Sequence, residues 1–157
     1  MDKKKEFDYY IFIDYSENLI GYLIIEVCKI KELLPKISKF AHYKFLKHKS
    51  AYLHSIKNRI EREKIKSYLL KLKIKDVRET PEIYVDLVEF IKKNDNCLIF
   101  ICVDDKQFSN FERLVKNLEG HNNKVVKESE LKKDSKEYHV SLVLDTLLNI
   151  ERLKNEK

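Results

Sequence analysis

The sequence predicts a single α/β domain: a mixed sheet of about five strands with helices packed on it. Three observations predict it. Asp8-Tyr9-Tyr10-Ile11-Phe12-Ile13-Asp14 and Cys97-Leu98-Ile99-Phe100-Ile101-Cys102-Val103 are continuous runs of β-branched and aromatic residues, the pattern of strands covered on both faces. Each run closes on acid, Asp14 in the first and Asp104-Asp105 in the second. Between them, amphipathic stretches of helical period supply the covering layers.

The first strand covers residues 9 to 14, and Tyr15-Ser16-Glu17-Asn18 is a polar turn before a second apolar run, Leu19 to Val27. So short a connection excludes a parallel crossover and predicts an antiparallel hairpin. Doubly wound nucleotide-binding folds open strand-helix-strand instead, and Gly21 and Gly120 are the chain's only glycines. P-loop and dinucleotide fingerprints are therefore excluded.

Lys29 to Lys75 is long, basic and aromatic. Ile30, Leu33 and Leu34 predict a short helix broken by Pro35, and Phe40 to Lys47 reads as either helix or third strand. From Ala51, the residues Leu53, Ile56, Ile60, Tyr68, Leu69 and Leu72 recur at nearly helical spacing. Thr80-Pro81-Glu82 predicts a helix start with a hydroxyl N-cap, and the helix runs to Lys93. Asn94-Asp95-Asn96 turns into the second buried strand. Ser109 with Glu112 predicts a capping box, a short strand follows near Lys124 to Lys127, and Asp134 with Glu137 caps a last helix through Ile150.

At 157 residues one core is expected, and it needs no disulfide. The reading places a disordered basic tail at 1–6, the domain at 7–153 and a second tail at 154–157. Charged residues make up 37% of the chain and the net charge is +6, which permits an anionic partner. Heavy Lys/Glu use with Gln107 as the sole glutamine is thermophile-like, although the many asparagines are not. Cys28, Cys97 and Cys102 lack metal-ligand spacing and read as reduced, structural thiols. The basic N-terminus is followed by an apolar stretch interrupted by Asp14, Glu17 and Asn18, which fits neither signal peptide nor membrane span, so a cytoplasmic protein is expected.

An opening hairpin and acids at Asp14, Asp104 or Asp105, and Asp145 resemble the ribonuclease H-like superfamily, a resemblance that implies a first strand lying beside and parallel to the fourth. More narrowly, the chain is similar to an uncharacterised microbial group whose first strand ends Asp-Glu-Ser-Gly. Here that motif reads Asp14-Tyr15-Ser16-Glu17, and the closing helix carries Leu144-Asp145-Thr146-Leu147-Leu148. The motif's glutamate is thus Tyr15 and its glycine Glu17, and the superfamily's acid between the first and fourth strands has no counterpart here.

The resemblance implies metal-dependent cleavage of phosphodiesters, with Asp14, Asp104, Asp105 and Asp145 as ligands of Mg²⁺ or Mn²⁺. In such sites two ions roughly 3.5–4 Å apart stabilise the entering and leaving oxygens. Singly, acids at strand ends are turn residues. Asp145 shares a stripe with Ser141, Asn149 and Arg152 that reads as an ordinary solvent-facing side.

Among His42, His48 and His54, His48 stands between Lys47 and Lys49 and is the first choice for a general base. Phe40, Tyr43, Phe45 and Tyr52 alternate with cations, so Lys44, Lys47, Lys49, Lys57, Arg59 and Arg62 are expected to contact a nucleic-acid backbone. Two functions follow: a metal-dependent nuclease or nucleic-acid-processing protein, or a non-catalytic nucleic-acid-binding or protein-interaction module with an incomplete acidic site.

Overall fold

The computed structural model describes residues 7–102, 105–116 and 123–155. Its centre is one five-stranded sheet in the order β3-β2-β1-β4-β5. β1 (Tyr9–Ser16) and β2 (Leu19–Glu26) form the expected hairpin, Asp14 pairing with Gly21. Glu17 turns the corner at φ 52°, in the left-handed region. β1 runs parallel to β4 (Cys97–Ile101), and β4 parallel to β5 (Lys124–Lys127).

The edge strand β3 (Lys71–Asp76) pairs antiparallel with β2 and corrects two expectations. Phe40 to Lys47 is neither helix nor strand but a loop with one 3-10 turn, Tyr43–Phe45. The helical reading from Ala51 overran: α2, following the single-turn α1 (Ile30–Leu33), spans Lys49–Arg62. It ends because Lys64 turns left-handed at φ 53°. Leu72 and Ile74 then alternate with Lys71, Lys73 and Lys75, the period of a strand, and lysines suit an edge because they discourage pairing with another chain.

α3 (Thr80–Lys93) begins where Thr-Pro-Glu placed it, with proline in the first turn. Thr80 does not cap it, since its hydroxyl donates to the Val77 carbonyl at 2.5 Å. α4 (Asp105–Lys116) starts before Ser109, so Ser109 and Glu112 lie inside the helix and form no capping box at its start. α5 (Lys136–Asn155) is capped by Ser135, not Asp134: the Ser135 Oγ accepts from the Tyr138 amide at 3.1 Å. Gly120 and His121 lie outside the described residues.

Alternation along β1 divides the core. Ile11 and Ile13 pack with Ile83, Leu87 and Ile91 of α3 and Phe111 of α4, whereas Tyr10 and Phe12 pack with Val140, Val143, Leu144 and Leu147 of α5. By the same parity Asp14 belongs to the α5 face. Gly21 lets α5 approach the sheet there, because a Cβ at that position would stand 3.0 Å from Leu148 Cδ2 and 3.2 Å from Ile74 Cγ1. Among the described residues no helix is long and apolar enough to cross a membrane.

Candidate metal centre

β4 and β5 end in one row with Asp14 of β1. Ile13 pairs with Ile101 and Ile101 with Lys127, so the next residues across the sheet are Asp14, Cys102 and Glu128. The Cys102 amide continues the ladder by donating to the Ile13 carbonyl at 3.0 Å. One ligand-type atom from each of Asp14, Cys102 and Glu128 falls within 4.8 Å of the other two. From above the row α5 lowers Asp145, which is buried like Asp14.

The stripe of Ser141, Asp145 and Asn149 is therefore not solvent-facing; all three are buried. Each polar group is engaged. Ser141 Oγ donates to the Tyr138 carbonyl at 2.6 Å, and Asn149 Nδ2 to the Asp145 carbonyl at 2.8 Å. The Arg152 guanidinium donates to Asn149 Oδ1 at 3.0 Å and to Ser16 Oγ at 3.2 Å, fastening the end of the helix to the end of β1. Such satisfaction is what buried polar groups require.

Electrostatically the cluster is uncomfortable as it stands. Burial above all, then the charges of Glu128 and Asp145, hold the Asp14 carboxyl well above the usual carboxylate range. The Tyr15 amide, donating to Asp14 Oδ1 at 2.8 Å, offsets only part of this. Burial also raises Glu128 and Asp145. Asp145 Oδ2 accepts from the Tyr43 amide at 2.9 Å, and Oδ1 lies 3.8 Å from His42 Nε2. Among the described residues no lysine or arginine is ion-paired with the three carboxylates; His42 is the base that meets them.

The donor set fits a hard divalent cation on its oxygens, since carboxylates suit Mg²⁺ and Mn²⁺ and thiols do not. Burial first, then the charges of Asp14 and Glu128, push the Cys102 thiol up, so it stays protonated and hydrogen-bonds to Glu128 and Asp14. It serves as a donor between two acids. Although the residue is open to solvent, it is no small hydrophobe within a strand, because β4 ends at Ile101.

Asp14 and Asp145 come together on the α5 face. Asp104 lies outside the described residues, and Asp105 is the first residue of α4. Glu128 went unnoticed although a short strand near Lys124 to Lys127 was expected, because only the pairing of that strand with β4 brings Glu128 into the row. Its signal is the one Asp14 gave, an acid immediately after a strand. His48 is exposed just before α2, and the histidine at the cluster is His42, which Nδ1 turns toward Asp145 by accepting the Lys44 amide at 3.3 Å. Lys44, Lys47, Lys49, Lys57 and Arg62 are exposed and Arg59 is half-buried.

A solved structure of ribonuclease HII from Archaeoglobus fulgidus, in complex with PCNA, is similar in fold, with a TM-score of 0.50 over 95% of this chain and 74% of that chain. The fold is ribonuclease H-like. The hairpin, the parallel β1–β4 pair and the helices packed on the sheet all agree with that assignment. Sequence identity is 10%, so the likeness is one of architecture. No protein-family model matches the chain, and no curated protein matches it.

Proposed function

We propose that this ribonuclease H-like domain is a divalent-metal-dependent nuclease acting on phosphodiesters, with Asp14, Glu128 and Asp145 as the ligands of Mg²⁺ or Mn²⁺. One observation carries the reading. Carboxylates from β1, from the end of β5 and from α5 converge, Asp14 and Asp145 buried and Glu128 half-buried, without a lysine or arginine among the described residues paired with them. Buried charge without a partner is costly, and a bound cation is the partner that three acids fit.

When bound, the metal supplies charge stabilisation at phosphate oxygens and a water of lowered pKa. The chain's own residues do the positioning. Asp14 is fixed by the central strand and the Tyr15 amide. Asp145 is oriented on one oxygen by the Tyr43 amide and faced on the other by His42 Nε2, whose Nδ1 accepts the Lys44 amide, so the proton sits on the side toward Asp145. In this reading His42 positions Asp145, and the general base expected at His48 remains a proposal. Asp104 and Asp105 remain proposed ligands.

The same reading gives the protein a nucleic-acid partner and a cytoplasmic location. It also places the chain with the microbial group of the Asp-Glu-Ser-Gly motif, supported by the left-handed backbone of Glu17 (φ 52°) where that group carries glycine. A second reading, a nucleic-acid-binding module without catalysis, is favoured by Cys102, which stands where an acid would complete an all-oxygen row.

Labelled single-stranded, duplex and hybrid oligonucleotides incubated with Mn²⁺ separate the two. The nuclease reading predicts cleavage that EDTA stops and Asp14→Asn abolishes. Binding without cleavage of any of these substrates sinks it in favour of the module.

A further inference from the structure

We propose that Phe45 is a base-stacking platform, on which a single-stranded polynucleotide lays one base as its backbone passes the carboxylate cluster. The inference rests on the nucleic-acid reading above and adds the form of the substrate. Of Phe40, Tyr43, Phe45 and Tyr52, the aromatics that alternate with cations, the structure leaves one available. Phe40 is in the core at 4% exposure. The Tyr52 hydroxyl is tied to both the amide and the carbonyl of Ala41 and to Thr146. Tyr43 is half-buried in the turn that its own amide fixes on Asp145.

Phe45, by contrast, is 68% exposed, more than any other large apolar side chain among the described residues. Leaving a phenylalanine in water forfeits the stabilisation its burial would bring. The ring is nevertheless held firmly. Its amide donates to the His42 carbonyl at 3.1 Å, and the next amide, of Leu46, to Tyr43 at 3.2 Å. Through Tyr43 the same turn is anchored on Asp145, and the His42 ring lies 5.3 Å from that of Phe45. A base on Phe45 would thus be one imidazole away from a carboxylate of the cluster.

Cations accompany the ring. Lys44 Nζ lies 5.9 Å and Lys133 Nζ 5.7 Å from its centre, from opposite sides of the sequence, and both lysines are exposed. Phosphates are met by such charges, and bases by the ring face. A paired base in a duplex has no free face to offer, so the geometry selects a single strand or an unpaired end.

Fluorescence anisotropy in EDTA, with labelled 15-nucleotide oligothymidylate, oligouridylate and a 15-base-pair duplex as probes, tests this without requiring cleavage. The wild type is expected to bind a single strand more tightly than the duplex, the better of the two strands identifying DNA or RNA. Phe45→Ala weakens single-strand binding by about 5- to 100-fold, the loss of one stacked base, and Phe45→Trp restores it. Lys44→Gln and Lys133→Gln each reduce the salt slope by about 0.7. Absence of single-strand binding in the wild type, Phe45→Ala binding as the wild type does, or an equal loss on duplex overturns the inference. Phe45-dependent binding in a protein that never cleaves would sink the nuclease reading while leaving this one standing.

Discussion

Two acidic groups flank the sheet, and they are solved in opposite ways. On the α3 side Glu82 and Asp86 lie one helical turn apart, and Lys73 of β3 reaches both, at 3.0 and 2.6 Å. Those groups are partly solvated, and the two carboxylates raise the Lys73 ammonium above its ordinary range. On the α5 side no lysine among the described residues is paired with Asp14, Glu128 or Asp145, and the carboxyls themselves are raised. A chain as rich in lysine as this one, with Lys+Arg at 32, had every means of neutralising the second group as it did the first. The difference sets ion-paired charge on one face against a carboxylate cluster on the other, the cluster on which the proposed metal centre rests.

The largest effect that sharpens this contrast is on chemistry. Asp14→Asn should remove Mn²⁺-dependent cleavage altogether, and Asp86→Asn should leave it unchanged; a nuclease assay on both variants checks this. Glu128→Gln should weaken Mn²⁺ by at least about 10- to 100-fold, since loss of even an outer-sphere partner costs that much. If Glu128→Gln bound metal as the wild type does, the strand-end row would be no ligand set.

Next is the closeness of α5 to the sheet beside Asp14. Gly21→Ala must push Leu148 or the helix away, because the added carbon meets Leu148 at 3.0 Å and the Lys73 carbonyl at 3.3 Å. A loss of about 1–3 kcal/mol is expected from such overpacking, lowering Tm by about 2–4 °C per kcal/mol. Thermal denaturation of the metal-free protein reads this directly.

The pH dependence is smaller, and its sign is fixed by the direction of the shifts. Carboxyls raised in the folded state hold more protons there than in the unfolded chain. Metal-free stability therefore falls as pH rises from the ordinary carboxylate range through the raised values, and is greatest below it as far as these groups are concerned. Melting curves across that range should flatten in Asp14→Asn, and saturating Mn²⁺ should reverse the slope. The smallest effect is Lys73→Met, which removes a half-exposed ion pair and should move Tm by about 2 °C or less.

The architecture was legible wherever the residues that make an element also announce it. β1 up to Ile13 and β4 are apolar because both faces are covered, the short Tyr15–Asn18 turn announced the β1–β2 hairpin, and the parallel β1–β4 pairing followed from the resemblance to the ribonuclease H-like superfamily. β3 was hidden because an edge strand dresses in lysine, leaving only Leu72 and Ile74 to show the period. Asp145 was legible as an acid on the closing helix, but its stripe was read as solvent-facing. Periodicity separates polar from apolar sides and says nothing of which polar side a sheet end will cover. Glu128 and His42 needed the fold, since the first depends on the β4–β5 register and the second on a turn closed by its own side chain.

Calorimetric titration of Mn²⁺ into the wild type and into Asp14→Asn at low ionic strength tests the central claim most directly. Saturable binding in the wild type that disappears in the variant is the predicted result. No saturable binding in the wild type, or the same isotherm in both proteins, would contradict a metal centre built on Asp14, Glu128 and Asp145.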